Sequence, residues 1–399
     1  MSPEPNPPQP STEYYFSLVR GGPFSRFRVA IGLVPEGGLG LARRAIALVA
    51  LAWLPVVIGA LIAGQALNGQ GTDPLLRHFG IHSRLLLAIP LMIFAEAIME
   101  KLIPPVISHF VTSGIVDGAT IPLFQAALEA ARRMRDSVWG RAFVLAAIGA
   151  MILAGITNKN HVDEMAWAVT RTDDGTGIGF AGWWFIFVSR PIFGGLLAIW
   201  LWRILVMWRL VWNVSQLELR LVASHPDGVG GLAFIEGTTV AMAPIVLAIS
   251  VVMAGRWGHE VLYHGVHVDS LKPLVAIFVV TAVLFFNGPL LLFSGNLRAF
   301  KRRSMLEYSA LVGKHGRLVN QRWIRNEDVG APDILNAPEL GPTVDISSIY
   351  ESVAKLRFAP IGKQSLLPVA LAALLPMLPV FAIEVPIKQM LKSLAGALL

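Results

Sequence analysis

The sequence contains no cysteine and few charged residues. The absence of cysteine from its 399 residues excludes disulfides, thiol chemistry and thiolate metal sites. Asp, Glu, Lys and Arg make up 15% of the chain, against about 25% in ordinary soluble proteins. Hydrophobic residues make up 54% of it, and the mean hydropathy is +0.61. This shortage of charge and excess of apolar side chains indicate a protein embedded in a lipid bilayer.

The sequence also lacks the short motifs that mark several enzyme classes. It contains no phosphate-binding G-x-x-x-x-G-K-[ST] loop, no G-x-S-x-G nucleophile elbow and no H-E-x-x-H zinc motif. No alternating strand pattern and no long internal repeat is present either. The apolar segments and the polar residues inside them therefore carry most of the information.

Seven apolar segments approach the length of about 20 residues that a membrane-spanning helix needs. The third is short unless it extends back through Trp139, and the last contains three prolines. If the last segment is re-entrant, six spans remain. We predict an all-α, multi-pass membrane protein with helical cytosolic extensions, whose spans are Ala45–Ala66, Ile81–Ile103, Ala142–Ile156, Trp183–Leu205, Leu232–Ala254, Pro273–Phe293 and Leu366–Ile383.

Composition divides the chain into four parts. Residues 1–25 are rich in proline and polar side chains, which predicts a disordered cytosolic tail. Residues 26–297 hold the first six spans. Residues 298–363 are predicted to form a cytosolic segment of helices and loops, and residues 364–399 the last transmembrane helix and a C-terminal tail.

Lys and Arg are concentrated in alternate loops, which sets the expected orientation. With the N-terminus inside, 24 of these residues lie on the inner side and six in the outer loops between the spans. Without the long last inner loop, the ratio is still 13 to six. We therefore expect a cytosolic N-terminus. The richness in Arg, Ala and Leu favours a bacterial inner membrane.

The stretch FAEAIMEKLIPP, residues 94–105, places Glu96 and Glu100 one helical turn apart at the end of the second span. Because Pro104 disfavours helix at the preceding residue, the helix is expected to end near Ile103. Glu96 would then lie about 10 Å inside the membrane from that end. A carboxylate at this depth must be paired, protonated or in contact with water. A structural ion pair and a functional polar path are both open interpretations.

Three further polar residues lie inside predicted spans. Arg190 and Asn287 are followed by proline and glycine, which can break a helix and free its backbone groups. Glu236 lies near the start of the fifth span. With Glu96 and Glu100, these residues form a predicted transport path. For Arg190 the alternative is snorkelling or a structural hydrogen bond between helices.

The linker ASHPDGVGGL contains His225 and Asp227 on either side of a proline. Because histidine changes charge near neutral pH, the pair is a candidate cytosolic gate or proton relay. The alternative is a tight turn enforced by proline and glycine.

The outer loop GHEVLYHGVHVD carries His259, Glu260, His264 and His267. Imidazole and carboxylate groups at this density form a candidate site for Zn²⁺ or another divalent metal. The alternative is a solvated polar loop without a metal.

Three functions are compatible with these features. The first is a channel or transporter that uses Glu96 as its ion or proton site. The second is a membrane-embedded metalloenzyme built on the outer histidines, and the third is a non-catalytic scaffold or sensor that docks a cytosolic protein. We rank transport first. The expected partners are the lipid bilayer and further copies of the chain, with no nucleic acid.

Overall fold

The computed structural model describes residues 14–21, 40–67, 74–157, 166–172, 175–328 and 343–384. Over these ranges the chain is almost entirely helical, as predicted. The exception is one short antiparallel hairpin, in which Val169–Thr172 pairs with Gly175–Ile178. The hairpin was not predicted, because two strands of four residues around a tight connection leave no long alternating pattern.

Eleven helices within the described ranges are numbered in chain order. A short helical turn, Phe79–His82, and a π-helical turn, Ser83–Ala88, directly precede the second helix. The corresponding turns before the fifth helix are Phe180–Trp184 and Phe185–Ser189. The helices are α1 Leu41–Ile62, α2 Ile89–Thr112, α3 Ile121–Arg135, α4 Val138–Thr157, α5 Arg190–Ser215, α6 Glu236–Val240, α7 Ala243–Tyr263, α8 Val268–Asn287, α9 Ser294–Val319, α10 Thr343–Ala354 and α11 Lys363–Leu374.

Shorter helical turns connect or extend several of these helices. A 3₁₀ turn precedes α6 and another follows α8, so both helices are interrupted near their ends. The 3₁₀ turns are Leu75–Arg77, Ala166–Ala168, Ala233–Ile235, Gly288–Phe293 and Leu375–Met377; a π-helical turn spans Asn320–Ile324, and a short helix Leu378–Phe381.

Six helical segments within the described ranges are long and apolar enough to cross a membrane. The chain is therefore an integral, multi-pass membrane protein. The helix that contains Glu96 is not among the six, since Glu96, Glu100 and Lys101 interrupt its apolar stretch. The six segments are Leu41–Ile62, Ile121–Thr157, Phe180–Ser215, Ala233–Tyr263, Val268–Arg322 and Lys363–Phe381.

Helix α2 packs against α1 on one side and against α5, α6 and α7 on others. Its buried side chains include Ile89, Ile93 and Ile103, each with no exposed surface, while Phe94 and Ile98 on another face are 45% and 41% exposed. Polar side chains on the packed faces can find partners within the bundle. This position explains how α2 carries charge near its middle.

Helix α2 does not end near Ile103, so that prediction was wrong. It continues through Pro104 and Pro105 to Thr112, and Ser108 donates a hydrogen bond to the Pro105 carbonyl at 3.1 Å. Packed neighbours and hydroxyl side chains allow proline inside such helices. Glu96 lies 16 residues before Thr112, or about 24 Å at the rise of an α-helix. It is therefore much farther from the end of its helix than expected.

The N-terminal segment is also packed rather than disordered over its described part, residues 14–21. Phe16, Leu18 and Val19 are each at most 3% exposed. They join the hydrophobic core that includes Phe110 of α2 and Phe124 of α3. The apolar side chains of this short segment pack against α2 and α3, where the composition predicts a disordered tail. The remainder of residues 1–25 lies outside the described residues.

The last apolar segment runs along the bundle rather than turning back. At its start, Gly362 lies against the Glu236 carboxylate at the beginning of α6. Past its end, Glu384 accepts a hydrogen bond at 3.1 Å from the Val268 backbone N–H, at the beginning of α8. The 3₁₀ turn at Leu375–Met377 accommodates the prolines between these points. This course does not support a re-entrant segment.

Candidate functional site

Glu96 is buried and bound by two arginines from different helices. Arg44 of α1 donates from Nη1 to Oε2 at 2.6 Å, and Arg203 of α5 donates from Nη2 to Oε1 at 2.9 Å. The Glu96 and Arg44 side chains are each 2% exposed, and that of Arg203 is 6% exposed. Of the two interpretations that the sequence left open, this geometry favours the structural ion pair.

Further polar contacts join the same three helices. The Trp200 indole of α5 donates a hydrogen bond to the Met92 carbonyl of α2 at 3.0 Å, and the Arg203 guanidinium lies 5.1 Å from the Trp200 ring centroid. Ser189, which precedes α5, donates to the Ala52 carbonyl of α1 at 2.6 Å. Hydrogen bonds of this kind are long-lived in an environment without competing water. They connect α1, α2 and α5 to one another.

Glu100 binds the N-terminal segment. Its carboxylate accepts hydrogen bonds from the Tyr15 and Ser17 hydroxyls and forms an ion pair with Arg20 at 3.0 Å. Burial, followed by the hydrogen bond to Glu100 and its negative charge, raises the pKa of Tyr15 to about 12. Within the described residues, the polar contacts of the Glu100 side chain are therefore to one short segment of the same chain.

Two arginines of α3 hold the other side of this segment. Arg132 donates to the Tyr15 carbonyl at 2.8 Å, and Arg135 donates to the Ser17 carbonyl while it also pairs with Asp136 at 2.8 Å. The segment thus satisfies its backbone carbonyls without regular secondary structure, as a buried loop must.

Asp227 organises the linker between α5 and α6. Its carboxylate accepts hydrogen bonds from the backbone N–H groups of Val229, Gly231 and Ala233 at 2.9, 3.1 and 3.0 Å, and His225 lies at 2.9 Å. Burial opposes ionisation, but these donors outweigh it and hold the pKa of Asp227 below its usual value. The predicted gate pair is therefore brought together, in a tight turn that Asp227 stabilises.

Arg357 connects this linker to the start of α11. Its guanidinium donates to the Asp227 carbonyl at 3.0 Å and to the Ile361 carbonyl at 2.9 Å. Its backbone N–H donates to the Gly228 carbonyl at 2.7 Å. The same guanidinium approaches Glu236 only to 4.0 Å. Arg357 is thus largely committed to backbone carbonyls and pairs weakly with the neighbouring carboxylate.

Among the described residues, Glu236 and Asn287 each present a buried oxygen atom for which no hydrogen-bond partner is found. These atoms are Oε2 of Glu236 and Oδ1 of Asn287, in residues that are 4% and 3% exposed. The Asn287 amide nitrogen is used, since it donates to the Val283 carbonyl at 3.0 Å. A buried acceptor that lacks a donor is costly. Each of the two oxygens could therefore accept a further hydrogen bond.

The two residues lie where helices are interrupted. Glu236 begins α6, whose five residues end before α7 starts, and Asn287 ends α8 before a 3₁₀ turn. Thr239 of α6 donates to the Phe286 carbonyl of α8 at 3.4 Å. The interruption between α6 and α7 is therefore in contact with the end of α8. Backbone of this kind at membrane depth is tolerated where it is enclosed in protein or lines a cavity.

Arg190 is separate from these residues. It begins the α-helical part of α5 after the π-helical turn, and its guanidinium lies against Gly155 of α4. The close approach needs the missing side chain at Gly155, because a Cβ there would lie 3.3 Å from Nη1. Arg190 therefore belongs to the packing of α4 on α5.

The predicted metal ligands divide between different partners. His259 is 3.1 Å from the Arg77 carbonyl through Nδ1, and its ring stacks on His78 at a centroid distance of 4.4 Å. The ring centroid of His264 lies 5.3 Å from that of His259, and the two rings meet edge to face. The three rings form an aromatic cluster that joins α7 to the turn before α2.

The other two predicted ligands lie beside charged side chains. Glu260 pairs with Arg256 at 3.1 Å, and His267 lies 3.8 Å from Glu384. In the portion of the chain that the structure describes, no group of three or more His, Asp or Glu side chains is placed to hold a metal ion. These residues therefore do not form the predicted metal site, because the two on α7 and the two after it contact different groups.

In comparisons with known proteins, no family model matches the chain, and no curated protein and no solved structure matches it. The function has to be argued from the residues of the chain itself.

Three arginines that bind the predicted site residues or their neighbours were not themselves predicted from the sequence. Arg203 lies within the predicted span Trp183–Leu205, so a cation inside the membrane was already visible as a partner for Glu96. Arg44 directly precedes the first predicted span and was counted only as a loop charge. Arg357 carries no sequence signal, because its partners lie more than a hundred residues away in the linker before α6.

Proposed function

We propose that this protein transports a proton or a small cation across the membrane, and that Glu236 and Asn287 are its binding groups. One observation carries the proposal: two buried acceptor oxygens, which find no hydrogen-bond partner among the described residues, lie on interrupted helices that touch each other through Thr239 and Phe286. Carboxylate and amide oxygens are ligands that small hard cations prefer. Interrupted helices with free acceptors are typical of transporter and channel binding sites.

The electrostatics around Glu236 support a cationic cargo. Its carboxylate is 5% exposed, and Arg357 lies 4.0 Å away with its guanidinium bound to backbone carbonyls. An ionised carboxylate that is buried and weakly paired attracts a proton or a cation. The chain passes close to this carboxylate at Gly362, where a Cβ would lie 2.9 Å from Oε1.

Glu96 and Glu100 take a different role in this proposal. Both oxygens of Glu96 are bound by arginine, and Glu100 is bound by two hydroxyls and Arg20. A cation would have to displace these donors. We therefore assign the two residues to the stability of the bundle and limit the binding site to Glu236 and Asn287.

Flux measurements on the purified protein in liposomes test the proposal. Proton entry is followed with an enclosed pH-sensitive dye under an imposed membrane potential, and Na⁺ and K⁺ uptake is measured in parallel. We expect wild-type protein to move at least one of these ions. Glu236→Gln should lower its rate about tenfold or more, because the neutral side chain removes the charge that attracts the ion.

Two comparisons separate loss of transport from loss of folding. Glu260→Gln removes a carboxylate that pairs with Arg256 at the opposite end of α7, and should leave the flux unchanged. Each variant should keep the thermal unfolding midpoint of the wild type within a few degrees. The proposal fails if wild-type liposomes move none of these ions, or if folded Glu236→Gln transports at the wild-type rate.

A further inference from the structure

A groove of about 510 Å³ opens on the surface of the bundle between the C-terminal parts of α5 and α8, with Met134 of α3 at one side. Its walls are apolar and aromatic and include Trp208, Trp212, Phe285 and Pro289. The groove is separate from Glu236 and Asn287, neither of which lines it. A molecule bound in the groove would therefore not occupy the proposed ion-binding groups.

Arg209 is the one charged residue among the described residues that line the groove. Its side chain is exposed, and it forms no hydrogen bond or ion pair with any part of the chain that the structure describes. A guanidinium group presents a planar set of donors that fits a phosphate group. The groove thus combines a long apolar wall with a single cation that is free to bind an anion.

The groove lies beside the C-terminal end of α8. The Trp208 ring packs against Phe285 at a centroid distance of 4.7 Å, and α8 ends two residues later at Asn287. The half-exposed Trp212 lies one helical turn after Trp208. Tryptophan is enriched at the boundary between lipid tails and headgroups. A lipid next to this groove would have its phosphate near Arg209 and its chain along the apolar wall.

We propose that the groove binds an anionic phospholipid, with an acyl chain between α5 and α8 and the phosphate on Arg209. The combination of features favours a lipid over a soluble anion, since free phosphate would gain nothing from the apolar wall. It also favours an anionic over a zwitterionic lipid. A zwitterionic headgroup carries its own cation and leaves less net attraction for Arg209, and basic pockets between transmembrane helices bind anionic headgroups.

Lipid binding to the full-length protein in detergent, measured by native mass spectrometry, tests this. Phosphatidylglycerol and phosphatidylcholine with identical chains are titrated separately. We expect wild-type protein to bind phosphatidylglycerol about fivefold more tightly, the preference that one interfacial arginine provides. Arg209→Gln should bind both lipids equally, and Arg209→Lys should keep most of the preference.

The matched control is Arg43→Gln, since Arg43 is an exposed arginine at the start of α1 and does not line the groove. It should keep the fivefold preference. The inference is overturned if wild-type protein binds both lipids equally, or if Arg209→Gln retains the preference. It is also overturned if inorganic phosphate competes as strongly as phosphatidylglycerol, because the site would then bind a soluble anion.

Discussion

Arg203 and Glu96 are 107 positions apart in sequence, and their side chains meet at 2.9 Å in the interior of the bundle with less than a tenth of either exposed. Arg44 reaches the same carboxylate from a third helix. The acidic side chain in the middle of α2 is thus the point where α1, α2 and α5 are joined. A buried carboxylate of this kind is as consistent with a structural role as with transport, and its partners decide between the two.

Replacement of Glu96 should destabilise the fold strongly. Glu96→Gln removes the negative charge and leaves two buried guanidinium groups next to a neutral amide. Breaking a buried pair by removing one partner costs about 3–5 kcal/mol. We expect a large drop in the thermal unfolding midpoint in detergent, with transport per folded molecule unchanged.

The control for this prediction is Glu307→Gln, which breaks the exposed pair with Arg303 on α9. Exposed ion pairs contribute little to the free energy of unfolding, so the unfolding midpoint of Glu307→Gln should match that of the wild type. If Glu96→Gln unfolds at the wild-type temperature, Glu96 does not hold the three helices together.

The contact between α7 and the turn before α2 should be sensitive to a single methyl group. A Cβ at Gly255 would lie 2.1 Å from the Ser83 hydroxyl and 3.0 Å from the Phe79 carbonyl. Overpacking of this kind costs about 1–3 kcal/mol. Gly255→Ala should therefore lower the unfolding midpoint. Gly149→Ala on α4 meets nothing within 4 Å and should not lower it. Equal midpoints for the two variants would contradict the close packing at Gly255.

Asp227 should make the stability of the protein depend on pH in the acidic range. Because its pKa is lowered in the folded state, its contribution is present above the unfolded value, about 3.9, and is lost as the pH falls through the folded value. Asp227→Asn should lower the free energy of unfolding by about 1–3 kcal/mol at neutral pH, because backbone N–H groups of the linker lose the carboxylate that accepts from them. The difference between wild type and variant should shrink below about pH 4.

Thermal unfolding at several pH values measures this difference. Asp269→Asn, which removes an exposed carboxylate at the start of α8, is the comparison and should not change the midpoint at neutral pH. A difference between wild type and Asp227→Asn that stays constant down to pH 3 would show that the carboxylate charge does not stabilise the linker.

Tyr15 should ionise only in strongly alkaline solution. Its pKa is raised to about 12, so the stability that it contributes is complete below the unfolded value of about 10 and is lost as the pH rises through 12. Ultraviolet titration of phenolate absorbance should show one tyrosine near this value, and Tyr15→Phe should remove it. Glu100→Gln should lower the pKa, since it removes the charge that opposes ionisation. A titration unchanged by Tyr15→Phe would exclude this assignment.

The absence of cysteine allows a direct test of the proposed orientation. Single cysteines are introduced at Asp269, before the sixth predicted span, and at Glu307, on α9; both side chains are more than half exposed. In intact spheroplasts an impermeable maleimide should label Asp269→Cys, whereas Glu307→Cys should react only after lysis. The reverse pattern would place the N-terminus outside.

The sequence alone determined that this chain is a helical membrane protein and that Glu96 needs a partner. Both conclusions depend on local properties, the length of apolar segments and the cost of a charge among them. Whether the short third segment extends back through Trp139 was left open by the sequence, and the structure begins α4 at Val138.

Only the tertiary structure decided which groups satisfy these needs. The partners of Glu96 come from 52 and 107 positions away, and the N-terminal segment packs only because α2 and α3 form a groove for it. Helix α2 continues through two prolines, of which Pro104 is buried against its neighbours. The outer histidines do not converge on one point, because the rings of His259 and His264 stay in contact whereas His267 lies beside Glu384. Pairings of this kind depend on which helices are neighbours, and no local pattern in the sequence contains that information.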